Sequence, residues 1–175
     1  AGLTGPCGPD SEMFYYNSDD VDAMWDTEPA DDDTPWVEIW NDVFMQYNKN
    51  EDGSFTPLAQ QNVDTGMGLE RVTAIMQGKT SAYETELFDA AMTRIRELAV
   101  ESDQTGERII ADHLRSATFI LGDERGVTPS NNDQGYVLRR LIRRAIRHGR
   151  KLGINGHFTA QIARIFIGIY GEYYT

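Results

Sequence analysis

Hydrophobic positions change their period along the chain, and the change divides it. Between Trp36 and Asn48, Val37 and Ile39 and, further on, Val43, Met45 and Tyr47 alternate with other residues, which predicts a strand. Asn50-Glu51-Asp52-Gly53 carries turn chemistry, so Phe55 is expected to begin the return arm of a hairpin. A third extended segment is expected to end around Val63-Asp64-Thr65. Gly66-Met67-Gly68 then opens a helix over residues 69–77, with Leu69, Val72, Ile75 and Met76 on one face and Gly78 as its terminator.

After Lys79 the period lengthens to three or four. Tyr83, Leu87, Ala91, Ile95 and Leu98 predict a helix over 83–100, followed by helices over 107–121, 135–152 and 158–170. The last is apolar nearly all round and is expected to be buried or docked on a partner. Strands in front and helices behind predict an α+β protein joined to a helical module. No internal repeat or long low-complexity tract interrupts this order.

Charge sharpens the division. The 175 residues hold 16 Lys+Arg against 28 Asp+Glu, a formal net charge of −12. Residues 1–70 carry 16 acids and one base, Lys49; residues 113–175 carry four acids and ten bases. The sum alone argues against nucleic acid, whereas the basic back half is what a phosphate-binding surface requires. Much of the acid lies at 19–33, including Asp31-Asp32-Asp33, and reads as a solvated loop without the spacing of a calcium loop. Hydrophobic residues at 40% and charged residues at 25% exclude wholesale disorder.

The lone Cys7 excludes an internal disulfide and a multi-cysteine zinc site, and no metal site is expected. No apolar run reaches the roughly 18 residues of a membrane span. The chain opens on Ala1-Gly2-Leu3-Thr4-Gly5-Pro6, without Met and without a secretory pattern. A processed or cut chain of cytoplasmic residence, with no membrane partner, is the expectation.

Two segments carry candidate chemistry. In Asp64-Thr65-Gly66-Met67-Gly68-Leu69-Glu70-Arg71, two glycines at a strand-to-helix junction permit close backbone approach to a ligand. Arg71 adds a planar cation for phosphate or base, and Asp64 an acceptor for an ammonium group. The third glycine of a dinucleotide fingerprint is absent, as is the Lys-Ser/Thr of a P-loop; an ordinary tight turn with a salt-bridged Arg71 accounts for the same residues.

The second is the helix at 135–152. At 100° per residue, Leu138, Leu141, Ile142, Ala145, Ile146 and Leu152 span an apolar arc of about 140°. Arg139, Arg140, Arg143, Arg144, Arg147, Arg150 and Lys151 fill an arc of similar width opposite, with no acid from Gly135 to Gly156. Like charges at i,i+4 destabilise a helix unless an anion is present. Nucleic-acid phosphate leads the readings, ahead of a solvated face, a membrane surface or the acidic block of the same chain. Pro129-Ser130-Asn131-Asn132-Asp133-Gln134, just before it, offers amides for base edges, or merely caps the helix.

Together these segments resemble the alanyl-tRNA synthetase family. The blocks are Thr4-Gly5-Pro6-Cys7-Gly8-Pro9, Glu38-Ile39-Trp40-Asn41 with Val43-Phe44-Met45-Gln46, Val63 to Arg71, Ala111-Asp112-His113-Leu114-Arg115-Ser116 and Pro129-Ser130-Asn131 with Gly135-Tyr136-Val137-Leu138-Arg139-Arg140 and Arg143-Arg144-Ala145. They follow family order from residue 4 to about residue 152.

The resemblance implies a class II synthetase, a ligase of protein biosynthesis that joins alanine to ATP as an adenylate and transfers it to tRNA. It implies that residues 1–80 are the end of a catalytic core, part of a class II antiparallel sheet. Residues 81–175 would then begin a helical tRNA-recognition module. Arg71 is implied as the catalytic arginine that holds ATP, with Gly68 beside it and Glu12 near the nucleotide or its Mg²⁺. Asn41, Val43 and Asp64 are implied to bind alanine, Asp64 through its ammonium group, with Gly66 as the pocket floor. Asn131 corresponds to the contact with an acceptor-stem G·U pair of tRNA(Ala), and Arg139, Arg140, Arg143, Arg144 and Arg147 to phosphate contacts.

His113 reads as a structural, hydrogen-bonded histidine rather than a ligand, and Cys7 as a turn residue rather than a nucleophile. The family often has Cys where Asp10 stands here. No counterpart of the first two class II motifs, of an editing domain or of an assembly segment is found. The expected protein is therefore part of a larger ligase that needs the remainder of its polypeptide and is inactive alone. The alternative is a non-catalytic RNA-binding or regulatory relative; a helix-turn-helix DNA binder leaves the glycine turn unexplained.

Overall fold

A computed structural model describes residues 3–29 and 34–174. The acid run at 31–33, expected to be solvated loop, lies outside the described residues. The fold is α+β, an antiparallel sheet followed by helices, and divides into two compact units, Ala1–Ala82 and Tyr83–Thr175.

In the first unit the long strand β3 (Trp36–Lys49) is the centre. Strand β4 (Phe55–Met67) runs antiparallel along one edge of it. The other edge is shared by β1 (Gly5–Cys7), opposite Tyr47–Lys49, and β2 (Asp10–Tyr16), opposite Trp36–Val43. The turn between β3 and β4 closes with Asn50 N donating to Ser54 O at 2.9 Å, and Gly53 takes the left-handed φ of 82°. Asp52 Oδ1 accepts from Ser54 Oγ at 2.6 Å and from Ser54 N at 2.9 Å, which holds its carboxyl below the ordinary 3.8.

Three expectations change here. The return arm and the third extended segment are one strand, β4, whose internal Pro57 is tolerated because nothing among the described strands pairs with its outer edge. Gly5-Pro6-Cys7, whose Cys7 reads as a turn residue, forms β1 instead. Gly8 follows it so close to β3 that a Cβ there would lie 1.7 Å from the Phe44 carbonyl oxygen, while Phe44 N donates to Pro9 O at 2.9 Å. Third, the alternation along β3 is not continuous. Met13 faces Trp40 but Phe14 faces Glu38, so Ile39 is an extra residue, a bulge.

Helix α1 (Leu69–Met76) follows Gly68 and ends at Gln77, with Gly78 at φ 63°. The second unit packs α2 (Asp89–Leu98), α3 (Gln104–Gly122), α4 (Asp133–Lys151) and α5 (Thr159–Tyr170). Helix α2 is shorter than expected. Tyr83 lies in a 3₁₀ turn, Ala82–Glu84, and the chain bends at fully buried Thr85 before Phe88 enters the core. Tyr83 and Phe88, five residues apart, pack together across the bend, ring centroids 4.9 Å apart.

Ala91, Met92, Ile95, Ile110, Leu138, Leu152, Ile162 and Phe166 are almost fully buried within the helical unit. Helix α5 is not covered all round, since Ile167 is 57% exposed. Among the described residues of the sheet unit only Ala74 is buried. The apolar core thus belongs to the helices.

Small residues let α4 sit deep in that core. At Gly149 an added Cβ would stand 2.4 Å from Phe158 Cζ and 2.6 Å from its Cε1, against a ring that is itself buried. Gly149→Ala gains about 1 kcal/mol of helix propensity and loses about 1–3 kcal/mol to overpacking. Urea unfolding is expected to show a lower midpoint at unchanged slope.

Candidate functional site

The register across β2, β3 and β4 sets the expected residues side by side. Glu12 faces Asn41, and Asn41 faces Gly66; one pleat further, Asp10 faces Val43, and Val43 faces Asp64. Residues two apart on a strand share a face, so these two rows lie on one side of the sheet. Asn41 Nδ2 donates to Glu12 Oε1 at 3.3 Å. Asn41, Val43, Asp64, Gly66 and Glu12 are thereby brought together, with Asp10 among them.

The bulge adds a third row. Because β2 is regular, Glu12, Phe14 and Tyr16 share a face, and their partners Asn41, Glu38 and Trp36 share it too. The 5.0 Å edge contact of the Tyr16 and Trp36 rings agrees with this. Glu38, even-numbered, thus joins odd-numbered Asn41 and Val43, which strict alternation forbids.

Glu38 receives Arg71. The guanidinium Nη1 lies 3.0 Å from Glu38 Oε2 and donates to the Glu38 carbonyl oxygen at 2.6 Å. With side chains 48% and 33% exposed, the pair fixes direction more than it adds stability. Gly68 makes room: a Cβ there would meet Arg71 Nε at 2.9 Å, and Gly68 N donates to Ile39 O at 3.0 Å, beside the bulge. Glu38 was missed as a functional residue because its face depends on the extra residue. The resulting face bears the carboxylates of Asp10, Glu12, Glu38 and Asp64 and one guanidinium, that of Arg71 held at Glu38, a set that suits an ammonium ion and a hydrated divalent cation.

In the helical unit the charges separate as expected. Gly135, Leu138, Ala145 and Gly149 form the buried face of α4, while Arg140, Arg143, Arg144, Arg147, Arg150 and Lys151 are exposed. Five of these arginines and His113 of α3 line a trough of about 840 Å³ floored by Val137, Leu141 and Ile146. His113 Nδ1 lies 3.3 Å from Asp112 Oδ2. Arg139 departs from the row: half-buried, it donates from Nη1 to Asn131 Oδ1. Tyr136, given no role in the sequence reading, lies beneath Arg140, 5.7 Å from guanidinium carbon to ring centroid.

This pairing of a bulged antiparallel sheet bearing a glycine–arginine turn with an arginine-faced helical unit has a family counterpart. The signature described as tRNA synthetases class II (A) matches residues 1–175, and the chain belongs to this family. Within it the relatives are specific. The alanine–tRNA ligase of Treponema pallidum is 49% identical over 179 residues, covering 99% of this chain and 29% of that protein. The alanine–tRNA ligase of Treponema denticola is 49% identical over 100% of this chain and 30% of its own length. That of Hydrogenovibrio crunogenus is 49% identical over 99% and 20%. The chain therefore spans between a fifth and a third of these curated relatives.

One titratable group on the arginine helix responds to its setting. His148, in the last turn of α4, has a buried Nδ1 without a hydrogen-bond partner, close to Gly106 in the first turn of α3. Burial first, then the charges of Lys151, Arg144 and Arg147, hold its imidazole below the ordinary 6.5, with Asp103 pulling the other way. The unfolded chain then binds the proton more readily, so stability falls as pH drops below the ordinary value towards the folded one. Between about pH 7 and about pH 5 the urea midpoint is expected to decline, and His148→Gln to flatten that part of the profile.

Proposed function

We propose that this chain serves ATP-dependent attachment of alanine to tRNA(Ala), as part of a larger ligase. The observation that carries the proposal is the assembly of Asn41, Val43, Asp64, Gly66 and Arg71 on one sheet face. Residues 1–80 then supply the end of the aminoacylation core and residues 81–175 the start of the tRNA-recognition module.

In this reading Asp64 accepts hydrogen bonds from the alanine ammonium group, while Asn41 and Val43 bound its methyl. Gly66, with no side chain, lets the substrate rest on the backbone. Glycine and serine differ from alanine by a group worth about 1–3 kcal/mol, so this pocket alone discriminates modestly. Arg71, aimed by Glu38, meets the negative charge of ATP beside Gly68, and Glu12 faces the nucleotide or its Mg²⁺, whose hard charge carboxylate oxygens suit. Carboxylates outnumber the one guanidinium on this face, so triphosphate neutralisation draws on cations beyond those present. The helical unit grips the acceptor stem through Arg140, Arg143, Arg144 and Arg147, with Asn131 at the G·U pair. The proposed setting is the cytoplasm, where tRNA and ATP are available.

Two measurements test this. The 175-residue chain is expected to give no alanine-dependent ATP–pyrophosphate exchange; robust exchange overturns the claim that its core needs the remainder of the ligase. It is also expected to bind an acceptor-stem duplex, with Arg143→Glu plus Arg147→Glu weakening binding and lowering the salt slope by about two. Unchanged affinity and slope remove the RNA assignment of α4.

A further inference from the structure

The loop before α4 is built to hold one side chain still. Ser130 N donates to Gly135 O at 3.0 Å, closing the loop around Asn131. Ser130 Oγ donates to Asn132 O at 2.9 Å and accepts from Asn132 N at 3.2 Å. A Cβ on Gly135 would lie 2.4 Å from Ser130 Oγ and 2.5 Å from Thr128 O, so only glycine lets the loop fold this close to the helix. Asp133, the first residue of α4, takes a positive φ of 47°, an uncommon conformation for a side-chain-bearing residue that the loop closure maintains. The Asn131 side chain is exposed on this frame, and Arg139, two turns along α4, reaches back to its Oδ1.

Resting on the RNA reading above, we propose that Arg139 is the positioning residue for Asn131 and not a phosphate contact. Three observations separate it from the other arginines. It is half-buried where Arg140, Arg143, Arg144, Arg147 and Arg150 are exposed. It does not line the trough those five share. Its guanidinium is spent on a charge-assisted bond to an uncharged amide oxygen. That bond fixes the plane of the amide and turns Nδ2, a donor, to the side away from Arg139. Affinity and specificity are thereby assigned to different arginines of one helix. The exposed row neutralises phosphate without reading sequence, and Arg139 acts through Asn131 on the base pair.

The test uses the full chain and two acceptor-stem duplexes, one with a G·U pair and one with G·C in its place, titrated over a salt series. Arg139→Met is expected to cut the G·U preference about fivefold or more while the salt slope stays as in the unsubstituted chain. Arg143→Gln is expected to do the reverse, lowering the slope by about one and sparing the preference. In an Asn131→Ala background Arg139→Met should change the preference no further, since it acts through that amide. A lowered slope with intact preference in Arg139→Met makes Arg139 a phosphate contact and overturns the proposal, as does additivity with Asn131→Ala. If the unsubstituted chain shows no G·U preference, the Asn131 reading fails and the positioning role with it. If Arg143→Gln changes nothing either, the RNA reading of α4 is what has failed.

Discussion

A single extra residue in β3, taken up where Met13 faces Trp40 and Phe14 faces Glu38, decides which side chains meet on the sheet face. Without it Glu38 would point to the side opposite Asn41, and the Arg71 that it anchors would be drawn away from the Asn41–Gly66 and Val43–Asp64 rows. Gly68 is tied to the same place, through its N–H to Ile39 O and through the room it leaves for the Arg71 side chain. Bulge, glycine and arginine form one device. The strand supplies the position, the helix supplies the cation, and the glycine lets them touch.

The two units meet opposite physical demands. The helical unit buries interlocking apolar residues and holds its cations on the far side of α4, so the same helix serves core and surface. Its inner face uses Gly135 and Gly149 where a larger side chain would collide with neighbours, and fully buried Ala145 between them. The described residues of the sheet unit include almost no buried apolar side chain, and the unit relies on strand pairing around β3. Among its described residues, order comes from backbone hydrogen bonds and specific polar pairs rather than from a dense interior.

Much of this was legible in the residues. Helices α3, α4 and α5 fell within a few residues of their expected limits because apolar period and boundary signals agreed. The hairpin at Asn50–Gly53 announced itself by composition; the glycine turn drew attention to Asp64 and Arg71, whereas Asn41 and Val43 entered as candidates only through the family resemblance. What stayed hidden depends on contacts distant in sequence. Gly5-Pro6-Cys7 reads as a turn by composition and becomes a strand only because Tyr47–Lys49 lies opposite. Tyr83 and Leu87 keep helical spacing yet sit before α2, since burial of Thr85 bends the chain there. Glu38 could not be assigned a face from alternation that a bulge interrupts. Arg139 looked like one more cation until its partner Asn131 was in place.

The pairing order of the sheet has a consequence for synthesis. Among the described strands Gly5 to Tyr16 pair only with β3, so in a growing chain β1 and β2 do not meet this partner until the residues up to Lys49 have been made. Unpaired strand edges invite association with other chains. The residues that emerge meanwhile are the acid-rich ones between β2 and β3, within a front block of 16 acids and one base. Like charge on this block disfavours the approach of one such copy to another. The charge excess of the front block thus bears on the exposed edges of its own sheet as well as on any ligand.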